Sequence, residues 1–292
     1  MNNKTMKKFL TKIICVSFVS FYFINVESVK SLVPYYYFPT KKNLQKESLS
    51  IGKSAYQLLY FGQYKDSLNL AKLAVKLNAK NEKLWLILSE AQIANKLYKN
   101  ALYSLNKAQK LNSNISEIYF AKSNIYLKIA QKKDAKIALE TGLKIDPNNH
   151  KAIFQLGNIL LMEKNYLEAI KLFEKSVKIK PDFWQAINNK GLAYFEVNKI
   201  NLSIKHFEKA ISIEENAEPL LGLASCLSMK DMKLALKLAK KALNKDPNYV
   251  NSEYRKEQLW GEKLQVSTEI LLQNDQLQTD VILAKTKINA PS

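Results

Sequence analysis

The sequence predicts an all-α protein, a solenoid of about six helix-turn-helix repeats closed by a C-terminal capping helix. Three observations lead to this fold class. Glycine and proline are scarce, at 7 each in 292 residues, whereas β-rich folds need many turn residues. Similar segments recur every 34 residues between about residues 48 and 249. Small side chains occupy the same places in each segment, as close contact between two helices requires.

The N-terminus has the pattern of an export signal. Residues 1–12 carry four lysines and no acidic residue, and an apolar run follows from Ile13 to Ile24. That run is shorter than the roughly 20 residues of a membrane-spanning helix, so residues 1–28 are predicted to be a signal peptide. An uncleaved anchor over residues 9–24 and a first core helix are the alternatives. Signal and anchor both place the repeats on the non-cytoplasmic side of a membrane.

Residues 29–47 are predicted to be a linker. Aromatic residues lie between Pro34 and Pro39, and a proline at each end favours extended backbone. These aromatic side chains either cover the exposed face of the first repeat or form an interfacial belt beside a retained anchor.

Prolines mark the 34-residue period, because Pro147 and Pro181 each follow the end of a helical segment. The same interval leads back to Ser113 and Ala79 and forward to Glu215, and Pro247 comes two residues early. A proline after the second helix ends that helix and allows the next one to begin. The six predicted repeats therefore cover residues 48–81, 82–115, 116–149, 150–183, 184–217 and 218–249.

Three positions of each repeat hold small side chains, which allow two antiparallel helices to pack closely. The first set is Ala55, Ser89, Ser123, Gly157, Gly191 and Ser225. The second set is Ser67, Ala101, Ala135, Ala169, Ser203 and Ala235, and the third is Ala74, Ala108, Gly142, Ser176, Ala210 and Ala242. Between the last two sets the middle repeats carry a bulky apolar residue, namely Leu105, Leu139, Phe173 and Phe207. One repeat cannot bury its own apolar face, so successive repeats are expected to stack.

The period changes after Asn248. Apolar residues at helical spacing run from Val250 to Leu271 on a polar background. They predict a capping helix over residues 250–274, which the end of a repeat array needs. Residues 275–292 are predicted to be a flexible tail.

The repeats resemble the tetratricopeptide-repeat (TPR) family, whose signature is W-x2-L-G-x2-Y…A-x3-F…P. The repeat at 150–183 resembles it best, and its matching residues are Ile153, Leu156, Gly157, Leu160, Ala169, Phe173 and Pro181. The resemblance implies a right-handed α-solenoid that binds other polypeptides. The layout of export signal, linker and repeats is also similar to TPR proteins of cyanobacteria, some of which assist photosystem assembly. That similarity implies the periplasm or the thylakoid lumen.

The family resemblance also implies a binding surface, because the first helix of each repeat lines an inner, concave groove in this family. The residues at these inward positions are Phe120, Asn124, Leu127, Phe154, Asn158, Leu161, Asn188, Leu192 and Phe195. Asparagine amides can hold the backbone of an extended peptide, and phenylalanines can form pockets for its side chains. The alternative is that these residues only pack between neighbouring helices. The positions lack the lysine and arginine with which chaperone-binding members grip a C-terminal carboxylate, so that type of client is not expected.

The formal net charge of +19 does not lead us to expect nucleic-acid binding. Of 45 basic residues, only Arg255 is arginine, and proteins that read nucleic acids depend on arginine for bidentate contacts. The sequence contains no catalytic motif and no Cys/His cluster with metal-ligand spacing. Neither enzyme activity nor a cofactor nor a metal is predicted. Cys226 is expected to be a buried packing residue.

These observations favour a non-enzymatic scaffold that is exported and holds a peptide or protein client during the assembly of a complex. Two alternatives remain. One is a membrane-tethered organiser, retained by an anchor at residues 9–24 with its lysines facing anionic headgroups. The other is an accessory subunit that delivers substrates to an enzyme.

Overall fold

The computed structural model describes residues 39–289, which form fifteen α-helices and two short 3-10 helices and contain no strand. The all-α class predicted from the sequence is confirmed. The helices are α1 Lys41–Tyr60, α2 Tyr64–Leu77, α3 Glu82–Ala94, α4 Tyr98–Leu111, α5 Ser116–Lys128, α6 Lys132–Ile145, α7 His150–Met162, α8 Tyr166–Ile179, α9 Trp184–Glu196, α10 Ile200–Ile213, α11 Ala217–Leu227, α12 Met232–Lys245, α13 Ser252–Glu257, α14 Glu262–Leu272 and α15 Gln278–Asn289. The 3-10 helices are η1 Pro247–Val250 and η2 Asp275–Leu277.

The chain divides into two compact units, residues 1–47 and residues 48–292. Of the first unit, the structure describes residues 39–47, where the Asn43 N–H donates to Thr40 Oγ1 at 3.2 Å near the start of α1. The second unit holds the repeats and the C-terminal helices. The predicted signal peptide or anchor and residues 29–38 of the predicted linker lie outside the described residues.

Helices α3 to α12 follow one another as antiparallel pairs, and each second helix packs on the first helix of its own pair and of the next pair. The first helices of neighbouring pairs also touch, as α7 does α9 and α9 does α11. This arrangement is the predicted helix-turn-helix solenoid. Its first helices form one surface, which we call the first-helix face. The second helices lie on the opposite side, which we call the second-helix face.

The turn inside each pair repeats as a backbone conformation rather than as a residue type. A residue with positive φ recurs every 34 residues, at Gly62, Lys96, Ala130, Lys164 and Asn198. The N–H of the following residue donates to a carbonyl five residues earlier in each of these turns, at 2.8–2.9 Å. This is the Schellman hydrogen bond that ends many helices. Only one of the five residues is glycine, so composition alone does not reveal the turn.

The small residues lie where two helices meet, as the sequence predicts. Ala101, Ala135 and Ala169 have no exposed surface. A Cβ added to Gly157 would lie 2.5 Å from Cε1 of Phe173, which is also fully buried. The bulky residue of one helix thus fills the space that the small residue leaves on its partner, and the two helices cannot come as close with larger side chains.

The C-terminal region differs from its prediction in two ways. Residues 250–274 form α13 and α14 rather than one capping helix, because Leu259 adopts a positive φ of 67° between them. The tail predicted to be flexible forms η2 and α15 up to residue 289, and α15 packs on α12 and η1. The reason is a second apolar stripe, since Leu277, Val281 and Ala284 are all buried in the core. Within the described part of the chain, no helix is both long and apolar enough to cross a membrane.

Candidate functional site

The first-helix face contains a groove of about 900 Å³. Helices α7, α9 and α11 form its floor, and η1 with the residues after α13 forms one end. We call this hollow the first-helix groove. The structure brings together here side chains from four successive repeats and from the C-terminal region, which are far apart in the sequence.

Aromatic side chains form the walls of the first-helix groove. Phe154, Phe183, Trp184 and Tyr249 line it. The Phe154 and Phe183 rings meet edge to face with their centroids 5.0 Å apart, a geometry that aromatic pairs prefer. Tyr249 is 6% exposed and lies against Trp260, with ring centroids 6.1 Å apart. The walls are therefore rigid apolar surfaces against which side chains of a ligand can pack.

Side-chain amides cross between neighbouring first helices and bond to one another. Gln155 Nε2 donates to Asn124 Oδ1 at 2.8 Å. One repeat later, Asn189 Nδ2 donates to Asn158 Oδ1 at 2.9 Å. Gln155 and Asn189 are not among the residues predicted from the sequence, although they are 34 residues apart and thus at the same position of two repeats. We call these four side chains the amide ladder.

The amide ladder leaves donors available to a ligand. Asn124 and Asn158 each use their side-chain Oδ1 in the ladder, and the Nδ2 group of each bonds to no other residue of the described chain. Asn124 is exposed and Asn158 is half-buried. Two N–H donors, one repeat apart, therefore point away from the bonds that fix the two side chains in place.

The structure places the nine predicted groove residues in three different environments. Leu127, Phe154 and Asn158 line the first-helix groove, and Asn124 joins the ladder beside it. Phe120 instead packs on Gly142, where an added Cβ would lie 2.5 Å from its Cε1 atom. This position follows the packing alternative, in which the aromatic ring fills space between neighbouring helices.

Four predicted residues are buried, namely Leu161, Asn188, Leu192 and Phe195, which are 4%, 0%, 0% and 8% exposed. Their prediction as an open surface needs correction. Helix α14 packs on α9 and α11, and Leu264 of α14 belongs to the same apolar core as three of the four. The C-terminal region therefore covers part of the first-helix face, and a client can reach only the part that remains open.

Glu196 holds the C-terminal region in this position. Its Oε1 accepts the Leu264 N–H at 3.0 Å, and its Oε2 accepts the Lys263 N–H at 3.3 Å. A carboxylate is favourable there, because the first N–H groups of a helix have no partner within the helix. Gly261 makes room for this contact, since a Cβ on it would lie 2.2 Å from Glu196 Cδ. Lys263 Nζ adds a bond to the Glu196 carbonyl at 2.7 Å.

Glu218 lies at the end of the first-helix groove nearest the C-terminal region. Trp260 Nε1 donates to its Oε1 at 3.0 Å, and the Asn188 side chain also bonds to its carboxyl group. Burial raises the pKa of this carboxyl group to about 7, and the two hydrogen bonds lower it by less. A group with that pKa changes charge near neutral pH. Glu218 is not among the residues predicted from the sequence, because nothing in its local pattern indicates that its carboxyl group is desolvated.

A second hollow of about 800 Å³ lies between the start of α8 and the helices α13 and α14. Leu161 lines it, together with Val266 and Ile270, which are 60% and 65% exposed.

Among residues 39–289, no three His, Cys, Asp or Glu side chains are placed to hold a metal ion.

Comparison with known proteins matches three of the repeats to a family. Tetratricopeptide repeat models match residues 116–149, 150–183 and 185–216. No curated protein sequence matches the chain.

Solved structures show the same arrangement of helices. MamA is 25% identical to this chain with a TM-score of 0.52, and the match covers 59% of this chain and 92% of MamA. PilF of Pseudomonas aeruginosa is 15% identical with a TM-score of 0.64, covering 73% and 98%. PilW, a type IV pilus biogenesis factor, is 18% identical with a TM-score of 0.58, covering 80% and 97%. The likeness to PilF and PilW concerns the fold.

Proposed function

We propose that this tetratricopeptide-repeat protein is a non-enzymatic scaffold that holds an extended peptide segment of a protein client in its first-helix groove. The observation that carries this proposal is the groove itself, with its volume of about 900 Å³, its aromatic walls and its amide ladder. We also propose that the protein is exported and that it captures its client during the assembly of a complex.

An extended peptide fits the chemistry of the groove better than a compact ligand does. Two free amide groups, on Asn124 and Asn158, can bond to separate carbonyl groups of a peptide backbone without selecting its side chains. Phe154, Phe183 and Trp184 offer apolar contact to those side chains. The bonds of the amide ladder restrict the Asn124 and Asn158 side chains before a client binds, which lowers the conformational entropy lost on binding.

A photo-crosslinker in the groove tests this proposal. Benzoylphenylalanine replaces Gln185, which lines the groove, and in a matched variant replaces Lys175, which is exposed on α8. After irradiation of native cells, we expect the variant at position 185 to yield a few defined adducts that the variant at 175 lacks. Identical adducts from both positions, or none from the groove, would refute groove binding.

Export is supported by the lysines and the apolar run within residues 1–28, because a basic start followed by a short apolar run is the pattern of a signal peptide. Mass spectrometry of the protein from its native cells tests it. A mature chain that starts near Val29 is expected for the exported scaffold.

A membrane-tethered organiser is the second candidate, and the distribution of charge supports it. The six second helices α2, α4, α6, α8, α10 and α12 hold 20 lysines and six acidic residues, whereas the first helices from α3 to α11 hold five of each. The positive charge thus lies on the second-helix face, and anionic headgroups attract such a surface. For this candidate we expect a chain that retains residues 1–28 and binds anionic vesicles but not neutral ones.

A further inference from the structure

We propose that the end of the first-helix groove at Glu218 is a subsite for a cationic group of the client, an ammonium or a guanidinium. This inference rests on the proposed function, because it assigns the chemistry of one part of the same groove. It predicts that the client segment carries a lysine or arginine side chain, or its own N-terminal amine, at the point that reaches Glu218.

The Glu218 carboxyl group has no positive partner. Its two hydrogen bonds come from Trp260 and Asn188, both of which are neutral donors. None of the ion pairs in the described part of the chain includes Glu218. A desolvated carboxylate is unfavourable unless an opposite charge pairs with it. A cation from the client supplies that charge.

A second acceptor beside Glu218 also lacks a donor. Asn188 is 0% exposed, and its Oδ1 atom has no hydrogen-bond partner. Its Nδ2 group donates to Asn189 Oδ1 at 3.1 Å, and hydrogen bonding by the Asn188 side chain also lowers the pKa of the Glu218 carboxyl group. Buried polar atoms in native proteins nearly always have a partner. Asn188 lies under the C-terminal region and not in the lining of the groove, so the cation itself pairs with Glu218.

Aromatic faces around this end of the groove also favour a cation. Tyr249 and Trp184 line the same hollow as Glu218, and the pKa of Tyr249 is raised by burial and then by the nearby Glu218 charge. A cation over an aromatic face is attracted by the negative charge of the π-system. The Glu218 carboxylate and the nearby Tyr249 ring therefore act together at one end of the groove.

The other charged groups that line the groove do not provide the counter-charge. Lys245 lies 3.7 Å from Glu215 and is paired with it, and Lys151 is exposed and forms no ion pair within the described chain. Asp246 accepts bonds from several donors, including the Tyr254 hydroxyl at 3.1 Å. Glu257 is exposed. The Glu218 side chain is thus half-buried with its carboxyl group desolvated, whereas the Glu257 side chain is exposed.

The test uses the full chain and fluorescein-labelled octapeptide pools, in which one central position is fixed as Lys, Arg, Gln or Glu and all others are mixed neutral residues. Each pool is made with a free and with an acetylated N-terminus, and binding is measured by fluorescence anisotropy at pH 8. We expect the Lys or Arg pool to bind at least tenfold more tightly than the Gln pool. A gain with the free N-terminus and neutral centre identifies the terminal amine as the cation instead.

Two variants assign the preference to Glu218. In Glu218→Gln the tenfold preference is expected to disappear while the Gln pool binds as before. In Glu208→Gln, which removes the same charge from an exposed position of α10 outside the groove, the preference is expected to remain. In the unmodified chain, lowering the pH from 8 to 6 should weaken binding of the cationic pool but not of the Gln pool, which tests the idea even if the Gln variant does not fold.

The outcomes separate this inference from the proposed function. If every pool binds equally, and Glu218→Gln changes the affinity for all pools by the same factor, the proposed cation subsite is wrong but peptide binding in the groove stands. A preference for the Glu pool overturns the subsite in the same way. If no pool binds at all, the proposed peptide-binding function itself fails.

Discussion

Replacing Glu218 with glutamine should stabilise the protein by about 3 kcal/mol at pH 8 and by only about 1 kcal/mol at pH 5. The pKa of the carboxyl group is about 7 in the folded chain, against an ordinary value of 4.5. Each unit of difference corresponds to about 1.4 kcal/mol, so the ionised form destabilises the folded state by about 3 kcal/mol. Glutamine has the same shape and can still accept the Trp260 N–H, but it has no charge to bury.

The sign of the effect follows from proton binding. Between pH 4.5 and 7 the folded chain holds a proton on Glu218 that the unfolded chain has lost. Stability from this group is therefore fully present below pH 4.5 and is lost as the pH rises through 7. Most of the difference between the parent protein and the variant should develop between pH 5 and pH 8.

Urea unfolding followed by circular dichroism, at pH 5 and pH 8 and constant ionic strength, measures this difference. Glu257→Gln is the control, because that side chain is exposed and its replacement should change stability by less than about 0.5 kcal/mol at either pH. A difference between Glu218→Gln and the parent that is the same at both pH values would show that the carboxyl group does not titrate near 7. The reasoning about its burial would then be wrong.

Three further predictions concern the amide ladder, the small residues and the buried thiol. Alanine at both Asn124 and Asn158 should weaken peptide binding. The free energy of unfolding should fall by about 1 kcal/mol or less for each substitution, since both hydrogen bonds of the ladder are partly exposed. A large loss of stability would show that the ladder is structural. Gly157→Ala should lower the free energy of unfolding, measured with urea, by about 1–3 kcal/mol, because the new Cβ would lie 2.5 Å from the buried Phe173 ring. An unchanged midpoint would contradict that close packing. Burial raises the pKa of the Cys226 thiol to about 12. In a variant with Cys15 replaced by serine, the folded protein should therefore not react with a thiol reagent at pH 8. Rapid labelling would show that the thiol is accessible.

The repeat fold can be read from the sequence because its signals are local. Ala101 and Ala135 sit one period apart and are both fully buried, and any pair of helices that pack closely needs small side chains at that position. The period also places Asn124 and Asn158 at equivalent positions of two first helices. A repeat stacks only on its neighbours, so a pattern of 34 residues determines most of the packing.

The C-terminal region could not be predicted in the same way. The sequence indicates that something caps the array after Val250 but not that Leu259 divides the cap into two helices by adopting a positive φ. It also does not show that residues 278–289 form a helix, because their two buried apolar residues, Val281 and Ala284, are too few for a clear period. These features depend on contacts with α12 and η1, which local patterns do not contain.

By itself the sequence determined the all-α class, the 34-residue repeat and the helix faces on which small, bulky and amide side chains lie. Only the tertiary structure decided which part of the first-helix face stays open. The bond from the Leu264 N–H to Glu196 joins residues 68 positions apart, and such a contact buries Asn188 and leaves Asn158 accessible although both asparagines lie on first helices. Burial of the Glu218 carboxyl group follows from the same closure. A periodic pattern determines which side chains each repeat presents. Long-range packing of a non-repeating segment determines which of these side chains are covered and which carboxyl group is desolvated.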